Sequence, residues 1–281
     1  MPTTRLLFLF GVPLLIVIVG VLVFVVPEMR SPPPDPKAAI EQLTATGACQ
    51  KCDLRSALLR DIDRADIDLS RAVMREADMK YARMPNANLS NADLQRAEME
   101  ETDFTGASFA GAKLRNTDME KGKASGADFA NADLRNADFD EAELTDANFS
   151  GADMRDITMK RAVMTGAVLE KAQLNSANLE RSSIERADFS GADLTGADLD
   201  RAQAANASFI DANLSSVRMS HADFSGARFN GANLKQATLQ RSNLSGADLT
   251  GVSGLTQDML STACGNDSTK LPGGLSVGAC Q

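Results

Sequence analysis

The 281-residue sequence predicts an all-β solenoid, in which short extended pieces wind around one axis. Two observations predict it. The first is a step of five. Every fifth residue from Leu54 to Leu249 gives 40 positions in unbroken register, holding 18 Leu, 9 Phe, 9 Met and Ile184; only Arg64, Ala124 and Ala204 depart. Two residues before each, from Cys52 to Ala247, 30 of 40 positions are Ala, and the residue between is usually Asp or Asn. The second observation is a hidden step of 20. The class starting at Leu54 holds 8 Leu of 10, the class at Leu59 five of the nine Met, and the class at Leu69 six of the nine Phe. The remaining class holds all three exceptions.

An α-helix does not explain the step of five, because at about 100° per residue the apolar positions smear around the helix. A simple strand fails too, since strict alternation breaks every fifth residue. The pattern fits Ala-polar-Leu with both apolar side chains inward, then a two-residue bend rich in Ser, Gly, Asn, Asp and Thr. Each unit buries its apolar side on its neighbours, as in a solenoid. The step of 20 makes the coil four-sided and the rod about ten coils long, roughly 48 Å at one strand spacing per coil. Phe109, Phe129, Phe149, Phe189, Phe209 and Phe229 share a side and should stack as a column. Ala124 and Ala204 should leave under-filled spots, and Gly122 should add to the first.

Units such as "ANLSN", "ADLRN", "ANFSG" and "ADLTG" resemble the pentapeptide-repeat family, A-(D/N)-L-x-x, over Cys52 to about Gly251. The resemblance implies a right-handed, quadrilateral parallel β-helix. The tail "GLTQDMLSTACGNDSTKLPGGL" is similar to an end segment of proteobacterial members, and "CQKCDL" to a frequent beginning.

The organisation follows. Residues 1–27 are expected to be a transmembrane anchor, 28–51 a Pro-rich linker and short helical cap, 52–251 the repeats, and 252–281 a helix and loop cap. Leu6 to Val26 is an almost wholly apolar run of 21 residues, long enough to span about 30 Å as a helix. A cleaved signal peptide is the alternative, but that would carry a shorter run and a small-residue site. Arg5 before the run and Arg30 and Lys37 after it leave orientation nearly balanced. Lys37 to Thr46 has helical character and ends at Gly47. A short helix is expected at Thr256 to Thr262.

Four cysteines flank the repeats as two end pairs, Cys49 with Cys52 and Cys264 with Cys280, which suits an oxidising compartment. The first pair reads as a disulfide or a small apolar cap; the second would close a loop worth about 3 kcal/mol if oxidised. The expected location is therefore the inner membrane of a Gram-negative bacterium, single-pass, with the repeats in the periplasm.

Net charge is −9 with one histidine, His221, which argues against direct nucleic-acid binding and against a His-based catalytic or metal site. No catalytic motif or cofactor site appears, and no enzyme activity is expected. Arg55, Arg75, Arg115, Arg135 and Arg155 form one outward column, and Arg161, Arg181, Arg201 and Arg241 another with His221 in file. Glu100, Glu120 and Asp140 run along the second column's side. These columns read either as a docking surface for a protein partner or as a mutually compensated, solvated surface. The Phe side reads as nearly uncharged and small-residued, a face on which a second copy could pair as a homodimer. Arg64, among Asp61, Asp63, Asp66 and Asp68, implies a slipped register or an outward turn toward those carboxylates.

Two functions stand against each other: a membrane-anchored, non-catalytic scaffold, and an acidic DNA mimic acting on a topoisomerase or other nucleic-acid-binding protein. Duplex DNA carries one charge per ≈1.7 Å, about 28 over such a rod. The repeats net only −9, because the flanks cancel, so the scaffold is favoured.

Overall fold

The computed structural model describes residues 15–18, 21–24, 36–60 and 62–280. The chain divides into two units, Met1–Asp35 and Pro36–Gln281. In the first, β1 (Leu15–Ile18) pairs antiparallel with β2 (Val21–Phe24). Most of the anchor expected over Leu6 to Val26 lies outside the described residues. The described part pairs as two antiparallel strands rather than forming a helix, in keeping with the β-branched content of LIVI and VLVF. Among the described residues, no helix is long and apolar enough to cross a membrane.

The second unit is the solenoid. Parallel bridges join every fifth residue to the one 20 further on, from Ala48–Asp68 to Asn233–Ser253. They fall in four columns offset by five residues, so each coil has four sides. Within a column the bonds alternate: Leu54 N–H donates to the Val73 carbonyl (2.7 Å), and Val73 N–H to that of Cys52 (2.8 Å). The residue that bridges is the one between the two inward side chains, most often Asp or Asn.

Each corner is a tight turn. Ala57 N–H donates to the Leu54 carbonyl at 3.1 Å, and the same bond recurs around the coils. The second corner residue has positive φ at every described corner from Lys51 to Gly251. This explains why Asn, Asp and Gly crowd the last position of the unit, since they tolerate left-handed backbone best. Arg161, Arg181, Arg201, His221 and Arg241 all stand at that position (φ 57–60°).

The interior is filled with side chains. All nine Phe of the repeats are fully buried, with the Ala positions beside them. The Phe side forms two stacks, interrupted at Leu169. Phe109–Phe129 and Phe129–Phe149 have ring centroids 4.7 and 4.8 Å apart at 3°; Phe189–Phe209 and Phe209–Phe229 are 5.0 and 5.1 Å apart at 8°. Phe104, Phe139 and Phe224 meet these stacks edge-on. The under-filling expected at Gly122 is not found: a Cβ there would lie 2.4 Å from Cγ of Met119, whose side chain occupies the space.

Both ends are covered. At the start, α1 (Lys37–Thr46) is closed by Gly47 (φ 74°), whose N–H donates to the Leu43 carbonyl at 2.8 Å. Leu43 is buried with the first coil. At the other end, α2 (Gln257–Leu260) is capped by the Thr256 hydroxyl, which accepts from Met259 N–H. Beyond it, β3 (Cys264–Gly265) runs parallel to β4 (Gly278–Ala279). Cys264 bridges Asn243 and Lys270 bridges Asp248, so the tail extends two of the four columns.

Candidate interaction surface

The alternating unit sets what the outer surface carries. In side after side, the carboxylate or amide oxygen of the bridging Asp or Asn accepts the N–H two residues on, as in Ser70 to Asp68 (3.0 Å), Glu120 to Asp118 (3.0 Å) and Ser190 to Asp188 (2.9 Å). These bonds occupy corner donors that the ladder leaves free. The repeated Asp and Asn are thus structural, a role beyond the solubility that composition suggests. Amide ladders add to it, with Asn148 donating to Asp128 (2.9 Å) and Asn243 to Asp223 (2.9 Å).

The first arginine column is largely paired. Arg55 meets Asp53 (2.5 Å), Arg75 meets Asp93 (2.6 Å), Arg135 meets Asp133 (2.6 Å) and Asp153 (3.4 Å), and Arg155 meets Asp153 (2.7 Å). The exception is Arg115. Lys113 stands where the others have a carboxylate or Val73, and the buried Nε of Arg115 has no hydrogen-bond partner among the described residues. In the second column, Arg161 meets Glu141 (2.5 Å), while Arg181 and Arg201 share Glu180 at 3.6 and 3.7 Å. Arg241 and His221 form no ion pair among the described residues. Apart from Arg115, Arg241 and His221, the two columns therefore present pairs rather than bare cations. Being exposed, these pairs add little to stability; their effect is to define the charge pattern of the face.

The acidic run is uneven. Lys80 sits between Glu100 (2.7 Å) and Glu98 (3.2 Å), and it holds Glu100 below the usual carboxylate range. Glu120 pairs with Lys121 (2.7 Å), and Asp140 accepts the Lys160 N–H (2.9 Å). Asp118 behaves differently: burial pushes its carboxyl up, and the nearby charges of Glu100 and Asp138 add to that. The Arg55 guanidinium lowers Asp53, and Arg60 lowers Asp78.

The Phe side is not as uncharged as its small corner residues suggest. Its bridging positions include Asp68, Asp128, Asp188, Arg228 and Asp248. Asp248 is lowered to about 2, chiefly by its bonds to Thr250, with Lys270 at 3.0 Å adding to this.

Cys49 is joined to Cys52, and Cys264 to Cys280. Arg64 does not break the register: its N–H donates to the Arg83 carbonyl at 2.8 Å. Its side chain turns out, but toward the end of α1 rather than the aspartates, and donates to the Thr44 carbonyl at 2.9 Å. A cation there satisfies a helix C-terminus. A Cβ at Gly47 would lie 2.6 Å from this guanidinium, so the left-handed cap is also the residue that gives Arg64 room. No periodic signal marks this contact, because its acceptor is a backbone carbonyl. Among the described residues, no group of three or more His, Cys, Asp or Glu is placed to hold a metal ion.

Sequence reasoning also missed a hollow of about 450 Å³ lined by His221, Gln240, Arg241 and Thr262, beside a smaller one of about 260 Å³ under α2. Both arise where the chain leaves its register, which the repeats cannot announce.

Comparison with protein families matches residues 92–169 to a pentapeptide repeat region, and residues 49–91, 182–220 and 218–253 to pentapeptide repeats of eight copies. Together these cover well over half of the chain. No curated protein matches significantly. Among solved structures, the chain is similar to HetL, a pentapeptide repeat protein involved in heterocyst differentiation regulation from the cyanobacterium Nostoc. Identity is 26%, coverage 83% of this chain and 98% of that one, and the TM-score 0.35. Full-length QnrB1, a plasmid-mediated fluoroquinolone resistance protein, is 21% identical over 68% of this chain and 92% of its own, with a TM-score of 0.38. A pentapeptide repeat protein of the Arabidopsis thaliana thylakoid lumen is 27% identical over 49% and 80%, with a TM-score of 0.22.

Proposed function

Because the chain belongs to the pentapeptide-repeat family, we propose that it is a non-catalytic scaffold that presents its outer sides to a protein partner. One observation carries this reading: the interior is consumed by packed Ala, Leu, Met and Phe side chains, so recognition falls to the outward residues. The exterior is regular, ion-paired and backed by continuous backbone ladders, which makes it a rigid, pre-organised surface; such surfaces lose little entropy on binding.

The proposal extends to place. The apolar run from Leu6 to Val26 tethers the chain to a membrane, and the disulfides at both ends suit a compartment outside the cytoplasm. The DNA-mimic alternative gains little support, since Arg–Asp pairs interrupt the acidic sides.

Photo-crosslinking from outward sites in intact cells tests the scaffold. Probes at Asn136 and Asn175 should capture one discrete partner, whereas a probe at Ala137 should capture none. Absence of any discrete adduct from outward probes would sink the scaffold reading. A reporter fused after residue 281 tests place separately: cytoplasmic activity contradicts the membrane orientation and leaves the scaffold standing.

A further inference from the structure

The end of the second arginine column differs from the rest of the solenoid. Along it, the large inward residue and the second corner residue each donate their N–H to the next coil, as Met219 does to Thr238 (3.1 Å) and His221 to Gln240 (2.8 Å). Leu239 and Arg241 are the last in this series. After Ser253 the chain leaves register and forms α2, and Thr238 has no bridge above it. The tail resumes the ladder on the two columns of Asn243 and Asp248, not on this one. The Leu239 and Arg241 N–H groups therefore aim at the end of the rod with no acceptor among the described residues.

The 450 Å³ hollow opens here. Its lining residues are His221, Gln240, Arg241 and Thr262, with no acidic residue among them. Asp258 of the cap lines the adjoining hollow, as Leu239 does. Arg161, Arg181 and Arg201 in the same file have acidic partners; Arg241 does not. Donors outnumber acceptors at one point on a chain whose net charge is −9. An unpaired guanidinium beside a backbone N–H that has no acceptor can hold negatively charged oxygen.

We propose that this end of the solenoid binds a compact oxyanion, a phosphate or carboxylate group, held in the hollow by the side chain and the free N–H of Arg241. The volume leaves room for part of the molecule that bears the group. Such a site would make the C-terminal end a recognition point distinct from the paired sides.

His221 is the chain's one histidine, so its ring protons give an isolated NMR signal at the site. The full chain is titrated at fixed pH with sodium phosphate, with sodium acetate, and with sodium chloride at matched ionic strength. Phosphate or acetate should shift the His221 signal and the Arg241 amide saturably, and whichever saturates at lower concentration identifies the preferred oxyanion. Arg241→Gln should weaken that response at least tenfold, while Arg161→Gln leaves it unchanged. Shifts that match chloride in both arms, or that survive Arg241→Gln, overturn the proposal.

Discussion

Replacing Phe129 by Ala removes a ring from the middle of a stack. Phe129 is fully buried; its ring lies parallel to Phe109 at 4.7 Å and to Phe149 at 4.8 Å, and meets Phe139 edge-on at 5.9 Å. Deleting a buried Phe side chain costs about 3–5 kcal/mol, and each lost aromatic pair adds roughly 0.5–1.5 kcal/mol. Phe229 is the matched comparison. It is equally buried and also meets one ring edge-on (Phe224), but it has only one parallel neighbour, Phe209. Phe129→Ala should therefore cost about one aromatic pair more, near 1 kcal/mol. Because coils interact mainly with their neighbours, the central lesion should also broaden the transition. The assay is urea unfolding followed by circular dichroism, since the chain has no Trp and one Tyr. Equal costs for the two variants, or a cost for Phe129→Ala below about 1 kcal/mol, would refute the stacked column, since a buried ring cannot be that cheap to remove.

Other outcomes follow from the same geometry. Gly122→Ala should destabilise by about 1–3 kcal/mol through overpacking, since its Cβ would fall 2.4 Å from Met119 Cγ and 3.0 Å from the Met119 carbonyl; the urea midpoint reads this. Asp118, whose folded carboxyl is raised above its ordinary value of 3.8 by burial, disfavours folding at neutral pH, and that penalty fades as pH falls through the raised value. Asp118→Asn should thus raise the thermal midpoint at pH 7 and leave it little changed at pH 3. Asp248 has the opposite sign: its contribution is present above its unfolded value near 3.8 and is lost as pH falls toward about 2. Asp248→Asn should flatten the acid limb of the stability profile. Opening Cys264–Cys280, 16 residues apart, should cost about 3 kcal/mol by loop entropy; an unchanged midpoint in Cys264→Ser/Cys280→Ser contradicts a stabilising cap.

The solenoid was legible because every inward position repeats the same physical demand. Phe109, Phe129 and Phe149 share a class of 20 for the reason that they touch. What the sequence hid lies where contacts join the repeats to something aperiodic. Arg64 reaches a backbone carbonyl of α1, and a carbonyl carries no residue signature. Arg55 and Arg135 read as either a docking surface or a compensated one, because their partners, Asp53 and Asp133, are also the bridging residues whose structural duty was not apparent. The hollow beside Arg241 exists because the chain abandons its period after Ser253. The apolar run near the N-terminus satisfied the length rule for a spanning helix, yet its described β-branched stretches pair as strands.

The central claim is that 20 residues make one coil with one strand spacing of rise. Spin labels at Ser125 and Ser225 test it most directly, because both stand at the same corner, 100 residues apart in sequence. Five coils place them about 24 Å apart along the axis. Pulsed dipolar spectroscopy should return a narrow distribution centred near that value. A broad distribution, or a mean beyond about 35 Å, more than seven strand spacings, would contradict the coil.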